Sequence, residues 1–256
     1  MTGQGDPELG ALLREAQLDA ALALLTDRVR AAPADARDRL DLAELLILLG
    51  EWERADRAAD LASTYDPSRA IGIALIRQLI RAAEWRDQTF RERRPPDLVT
   101  EPDAAIAAAL ARLAGTTSDA EEPTLKGSID GRDFAGLRDL DDRTAGVLEV
   151  LTGNGRYLWI PFARLAALRP ATPERLRDLV WRPAEVELHG GPSGTVYLPA
   201  LYPAAAGEGD ATHKLGRATD WIEEPDGSTR GIGQRCLLVG EDVVTLDGFA
   251  ELVVQP

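Results

Sequence analysis

Residues Thr152 to Phe162, reading Thr-Gly-Asn-Gly-Arg-Tyr-Leu-Trp-Ile-Pro-Phe, restrict the possible folds of this 256-residue chain more than any other stretch. Asn154-Gly155 is a strong hairpin signal, because both central residues of a type I′ turn need positive φ and these two residue types tolerate it. Val147 to Leu151 reads as the strand before the turn and Arg156 to Ile160 as the strand after it, ended by Pro161. Alternation places Tyr157 and Trp159 on one face of the second strand and Leu158 and Ile160 on the other. Neither face suits water. The strand is therefore expected to be central, or covered on both sides.

The N-terminal half has a different grammar. Residues 9 to 92 are rich in Ala, Leu, Arg, Asp and Glu, with apolar residues at helical spacing and no strand-like alternation. Within them Leu18-Asp19-Ala20-Ala21 and Pro33 recur as Trp52-Glu53-Arg54-Ala55 and Pro67, a separation of 34 positions. That is the tetratricopeptide period. Small Ala21, Ala55 and Ala62 allow paired helices to approach closely, Gly50 suits the turn inside the second unit, and Pro33 and Pro67 stop the second helix of each pair. Ala70 to Arg91 reads as one long helix capping the stack. Arg93-Arg94-Pro95-Pro96 breaks the run, and Asp103 to Ala114 offers one more helix with Asp103 at its positive end. Residues 115–123 are small, polar and acidic, as in a linker.

From Ser128 onward short apolar runs alternate with Gly, Pro, Asn and Asp. They predict strands near Ile129, Leu165 to Arg169, Val186 to Leu188, Thr195 to Leu201, Thr219 to Glu223, Gln234 to Val239, Val243 to Leu246 and Phe249 to Val254. Hairpin-length connections leave no room for crossover helices. The fold class read from the sequence is α+β: a helical tetratricopeptide-like repeat domain (1–114), a linker (115–127) and a mainly antiparallel β domain, curled or barrel-like (128–256).

The formal charge of −14 divides as −7 in residues 1–126 and −7 in residues 127–256. A uniformly acidic chain repels a phosphate backbone, which argues against nucleic acid or an anionic membrane and for a protein partner. Cys236 is the only cysteine, so no internal disulfide and no four-thiolate zinc site can form within the chain. The N-terminus lacks a basic and then apolar leader pattern, and no apolar run of about 18 residues occurs. The expected setting is a reducing cytoplasm.

No catalytic set stands out. Gly231-Ile232-Gly233 and the glycines at 190 to 194 lie between strands rather than opening a helix, as phosphate loops do. A nucleophile would have to be Cys236 or a serine, with His189 or His213 as base, yet Cys236 lies inside a predicted strand and both histidines lie in or beside loops. Asp139, Asp141 and Asp142 lack the glycine and terminal glutamate of a calcium loop and read as turn caps. The aromatics Tyr157, Trp159, Trp181, Tyr197, Tyr202 and Trp221 read first as core, and would form a pocket only with a buried polar set such as Arg156, Arg182 and Arg235. Stacked helix pairs present a concave face suited to a peptide or helix, and helical spacing from Ala43 assigns it Arg37, Leu40, Glu44 and Ile47.

Several stretches in order resemble the ImpE family, also called TagJ or SciE-type virulence proteins. They are Gly153-Asn154-Gly155-Arg156-Tyr157-Leu158-Trp159-Ile160-Pro161-Phe162, Arg177-Asp178-Leu179-Val180-Trp181-Arg182-Pro183-Ala184, Leu198-Pro199-Ala200-Leu201-Tyr202-Pro203, Thr219-Asp220-Trp221 and Gly231-Ile232-Gly233-Gln234-Arg235. The resemblance runs from about residue 9 to the C-terminus. It implies a non-enzymatic accessory protein of the bacterial type VI secretion system, without a cofactor, that binds the small sheath subunit and aids a ClpV-type disassembly ATPase. The residues alone leave two other readings open: a hydrolytic or small-ligand-binding β domain using Cys236 or His189, and a generic repeat scaffold of another complex.

Overall fold

The structure, a computed structural model, describes residues 6–99, 101–116, 124–205 and 207–256. Of the expected linker 115–127, residues 117–123 lie outside the described residues, as do the polar residues 1–5. Six helices come first: α1 (Pro7–Arg14), α2 (Leu18–Ala31), α3 (Ala36–Leu48), α4 (Trp52–Tyr65), α5 (Ala70–Glu92) and, after a two-residue strand β1 (Asp97–Leu98), α6 (Ala104–Leu113). Asp6, Asp35 and Asp103 cap α1, α3 and α6 through their side-chain oxygens.

The 34-residue period is a property of the backbone as well as of the sequence. Gln17 and Glu51, which start α2 and α4, have φ, ψ of −88°, 65° and −91°, 64°. Ala32 and Asp66, which end them, have −129°, 74° and −134°, 85°. Ala16 and Gly50, again 34 apart, both adopt left-handed backbone, with φ of 57° and 74°. Each closes the preceding helix with the same pair of hydrogen bonds, Ala16 N and Gln17 N to Leu13 O and Leu12 O, Gly50 N and Glu51 N to Ile47 O and Leu46 O. Ala21, Ala43, Ala55, Ala59 and Ala62 are fully buried where the helices meet.

The sheet region contains β2 (Lys126–Ile129), β3 (Arg132–Ala135), β4 (Leu137–Asp139), β5 (Val147–Leu151), β6 (Tyr157–Pro161), β7 (Leu165–Pro170), β8 (Trp181–Leu188) and β9 (Ser193–Pro199). A short helix α7 (Ala211–Lys214) precedes β10 (Thr219–Glu223), β11 (Thr229–Gly233), β12 (Cys236–Val239), β13 (Asp242–Thr245) and β14 (Leu252–Val254). Nine strands form one open sheet in the order β1-β6-β5-β9-β8-β7-β14-β2-β3; β13-β12-β4 and β10-β11 form two smaller ones. All pairs are antiparallel except β1 with β6. That parallel pair, in which the helical half lends a strand to the sheet, was not legible in a two-residue segment.

Alternation along β6 works as the sequence predicts. Tyr157 and Trp159 join Val147, Leu151 and the helices in one core, while Leu158 and Ile160 join Ile129, Val186, Leu237 and Leu252 in a second. The second core thus runs across the sheet from β6 to β2 and takes in Leu237 of the smaller β13-β12-β4 sheet. The turn type differs from expectation. Neither Gly153 nor Asn154 has positive φ; Thr152 O accepts from Gly155 N, and only Gly155 is left-handed, at 83°. This is a type I turn closed by a glycine bulge. The mirror-image turn with two positive φ values lies at Asp130-Gly131 (48° and 76°), between β2 and β3.

Left-handed backbone is unfavourable for any residue bearing a Cβ, so the two equivalent helix ends differ in strain. Gly50→Ala is expected to lower stability by about 1 kcal/mol, whereas Ala16→Gly, which relieves strain but loosens the unfolded chain, should raise it by up to about 1 kcal/mol. Urea unfolding checks both; a loss at Ala16→Gly as large as that at Gly50→Ala would contradict the shared turn geometry.

Candidate functional site

The four residues assigned to a partner-binding face lie on α3. Ile47 is fully buried, Leu40 is 9% and Glu44 8% exposed, and Arg37 stands exposed at the helix start. What covers the first three is the chain itself. α3 packs against the single-turn segment Leu176–Leu179, and the Glu44 carboxylate pairs with Arg177 beside it. Trp52 stacks on Trp181, centroids 5.9 Å apart and planes 22° from parallel. Arg217 donates to Leu13 O and Arg14 O, both at 2.9 Å, closing the end of α1. Glu44 thus meets the sheet region, while Leu40 and Ile47 lie in the core that the helices share with it.

The deepest part of this junction is a cluster of charges. Arg86 of α5 reaches Glu149 of β5 with both forks, Nε to Oε1 at 2.7 Å and Nη2 to Oε2 at 3.0 Å, and also donates to Leu201 O at 3.0 Å. Glu149 accepts further from Tyr157 Oη and from Arg235 Nη2. Trp159 Nε1 donates to Tyr157 Oη at 2.6 Å. Arg235 Nη1 bonds Asp139 Oδ2 at 2.6 Å, while Tyr202 Oη and Asp141 N each donate to Asp139 Oδ1 at 2.9 Å. Phe90 lies under the guanidinium of Arg86 at 5.6 Å and that of Arg143 at 4.9 Å.

Burial pushes the Glu149 carboxyl up, but Arg235 and Arg86 outweigh it and hold it at about 2. Asp139, also fully enclosed, shares Arg235 and has Asp141 nearby; burial drives it from the ordinary 3.8 up to about 6. The two carboxyls therefore differ in kind. Glu149 is an ion clamped by two arginines, and Asp139 is the group that takes a proton near neutrality.

The other candidate groups fall apart in space. Arg235 joins Tyr157, Trp159 and Tyr202, but Arg156 lies at the surface, Nε 2.7 Å from Asp97 Oδ2. Arg182 lines a separate crevice with Gln234, Leu246 and Asp247. Burial raises the Cys236 thiol, whose neighbours are Thr219 Oγ1 and Gln234 O. His189 Nε2 meets Val254 O at 2.9 Å, and His213 sits between Asp210 and Asp220 at 2.9 and 3.1 Å. Each of the three clustered aspartates takes its own arginine: Asp139 with Arg235, Asp141 with Arg143, Asp142 with Arg138. No group of three or more His, Cys, Asp or Glu among the described residues could hold a metal ion.

Removing one partner of a buried ion pair leaves an unpaired charge, so Glu149→Gln is expected to cost about 3–5 kcal/mol in urea unfolding. Between pH 3.8 and about 6 the folded chain retains a proton on Asp139 that the unfolded chain has lost, so this group makes stability fall as pH rises through that window. Asp139→Asn should shrink the difference in unfolding free energy between about pH 4.5 and about pH 6.5. An undiminished difference would assign the titration elsewhere.

Comparison with known proteins agrees with this architecture along the whole chain. The profile of the ImpE protein family matches residues 131–253. The type VI secretion system accessory component TagJ of Pseudomonas aeruginosa is 33% identical over 258 aligned positions, which cover 96% of this chain and 90% of TagJ. The X-ray crystal structure of protein VPA1032 from Vibrio parahaemolyticus superposes with a TM-score of 0.87 at 27% identity, covering 97% of this chain and 98% of that one. The family match covers most of the sheet region, the likeness to TagJ and to the Vibrio structure extends over the helical half as well, and the chain belongs to the ImpE/TagJ family.

Proposed function

We propose that this protein is an accessory component of a type VI secretion system that works by binding a protein partner, the small subunit of the contractile sheath. The observation that carries this reading is the similarity to TagJ over 96% of the chain. The site geometry is consistent with it: the buried charges lie within the helix-to-sheet junction, where they hold two parts of the chain together. Binding falls to the outward surface of the helical repeats. Arg37 stands exposed on it, as do Tyr65 and Leu61 of α4, 46% and 39% exposed, and Ile71 of α5, 90% exposed. Arg39 lies over the Tyr65 ring at 5.3 Å, presenting a flat apolar and cationic surface. The setting is the cytoplasm, no cofactor takes part, and any contribution to the work of a ClpV-type ATPase passes through the sheath subunit.

The test is capture of the purified sheath subunit from the same gene cluster by the full chain, with a Tyr65→Glu, Ile71→Asp double variant as control. Both side chains are solvent-facing, so stability should change by no more than about 0.5 kcal/mol at each site. Binding weakened by about tenfold or more would support this surface. Unaltered binding would remove the surface from the reading, and absence of binding by the parent chain would remove the partner.

A further inference from the structure

The β8–β9 hairpin reaches further than its neighbour. β5 and β9 are joined at a single register position, Leu151 opposite Tyr197, although β9 continues to Ser193. Beyond Leu151 the chain turns at Thr152 to Arg156, and this tip leans onto α5. A Cβ on Gly155 would stand 2.5 Å from Gln78 Oε1, and one on Gly153 would stand 3.3 Å from Leu75 Cδ1. The end of β9 is thereby left without a strand on that side.

Which backbone groups are open follows from the ladder. Ala200 N bonds Val180 O and Leu188 N bonds Pro192 O, so the even-numbered residues of β9 exchange hydrogen bonds with β8 and the odd-numbered ones face away. Tyr197 faces Leu151. Thr195 and Ser193, next in line and exposed, direct N–H and C=O outward with no backbone partner among the described residues. Charged residues usually blunt such an edge, but Ser193-Gly194-Thr195 carries none. Beside it opens a cleft of about 340 Å³ floored by Val150, Leu158, Ile160, Val186, Leu188 and Val196. No aromatic residue lines it.

An unpaired strand edge alongside an apolar cleft is the geometry that accepts an added strand, with backbone hydrogen bonds along the edge and alternate side chains in the cleft. We propose that β9 is a strand-addition site for an extended segment of a partner protein, apolar at alternate positions and basic at those between. The basic positions follow from the opposite face. Glu185, across from Thr195 on one side and Arg169 on the other, is exposed and accepts from the Thr195 hydroxyl, and Glu187, across from Ser193, shares Arg169 with Glu251. Outward side chains of the added strand would stand opposite Ser193 and Thr195, with this carboxylate pair one strand further, about 10 Å away and within reach of a long basic side chain, on a chain of charge −14. The site is separate from the outward helix surface proposed above and does not depend on the sheath assignment.

The probe is a fluorescein-labelled synthetic peptide of four Val-Lys repeats, titrated against the full chain by fluorescence anisotropy, with a second peptide carrying a central proline. The alternating peptide should bind with a dissociation constant below about 1 mM and weaken as salt rises, while the proline peptide should bind at least about tenfold less tightly. Thr195→Pro removes the outward N–H, along with the exposed hydroxyl bond to Glu185, and should lower affinity about tenfold with the melting temperature little changed. Should that variant not fold, Glu185→Lys, an exposed substitution, must weaken binding and flatten its salt dependence. Amide hydrogen exchange at Ser193 and Thr195 should slow in the presence of the peptide. No binding, or binding indifferent to the proline in the peptide and to both substitutions, would overturn the proposal. Self-association of the parent chain in sedimentation velocity, abolished by Thr195→Pro, would overturn it in favour of a second copy as the occupant.

Discussion

Glu149 sits between two guanidinium groups brought from far apart in the sequence, Arg86 in the last helix of the repeat stack and Arg235 just ahead of β12. All three are buried, with Arg86 9%, Arg235 2% and Glu149 1% exposed. Taking such charges out of water costs several kcal/mol per ion, and well-packed apolar residues of similar volume would often serve as well or better for stability. Apolar packing is non-directional, whereas this carboxylate satisfies both arginines only when α5 and β5 meet in one position and rotation. The cluster therefore acts on the accuracy of docking more than on its strength.

Everything around the cluster is consistent with a junction that is a core and not a hinge. The first apolar core runs from Leu13 through the helices to Val147, Trp159 and Trp181 of the sheet without interruption. Trp52 on Trp181 and Glu44 with Arg177 close its rim. Two and a half repeats cannot bury their inner faces on each other alone, because each repeat relies on a neighbour. The sheet region stands where further repeats would otherwise be stacked. The inner face of α3 is used up in the process.

Much of this was legible in the chain. The 34-residue period, the long capping helix, the change of grammar near residue 128 and the doubly apolar β6 all rest on local spacing, which survives folding unchanged. Two differences from expectation have a common cause. Asn154-Gly155 carries the signal of a mirror-image turn, but the tip leans on Gln78 and Leu75, and that contact accompanies a bulged turn; Asp130-Gly131, held instead through Asp130 to the backbone of Ala250 and Glu251, adopts the expected one. Likewise Leu40, Glu44 and Ile47 sit at the spacing of a helix face, and spacing says nothing of what the face meets. The buried cluster did leave a trace. Arg86 falls in line with Leu79, Ala83 and Phe90 on the apolar stripe of α5, and Glu149 interrupts Val-Leu-Glu-Val-Leu. Charges of opposite sign on two faces that must both be buried are a signal for each other, detectable before any coordinates exist.

The same turn also ties the rigid side of the molecule to its open side. Gly155 supplies left-handed backbone and leaves the space that Gln78 fills, so the β5–β6 tip can lie on α5. A tip held against the helices cannot continue alongside β9, whose ladder with β5 ends at the Leu151–Tyr197 position. Had the turn been the tighter two-residue form aligned with the strands, β5 and β9 could have stayed paired and the edge at Thr195 would have been covered. The open edge is thus a geometrical consequence of docking the hairpin tip on the repeats.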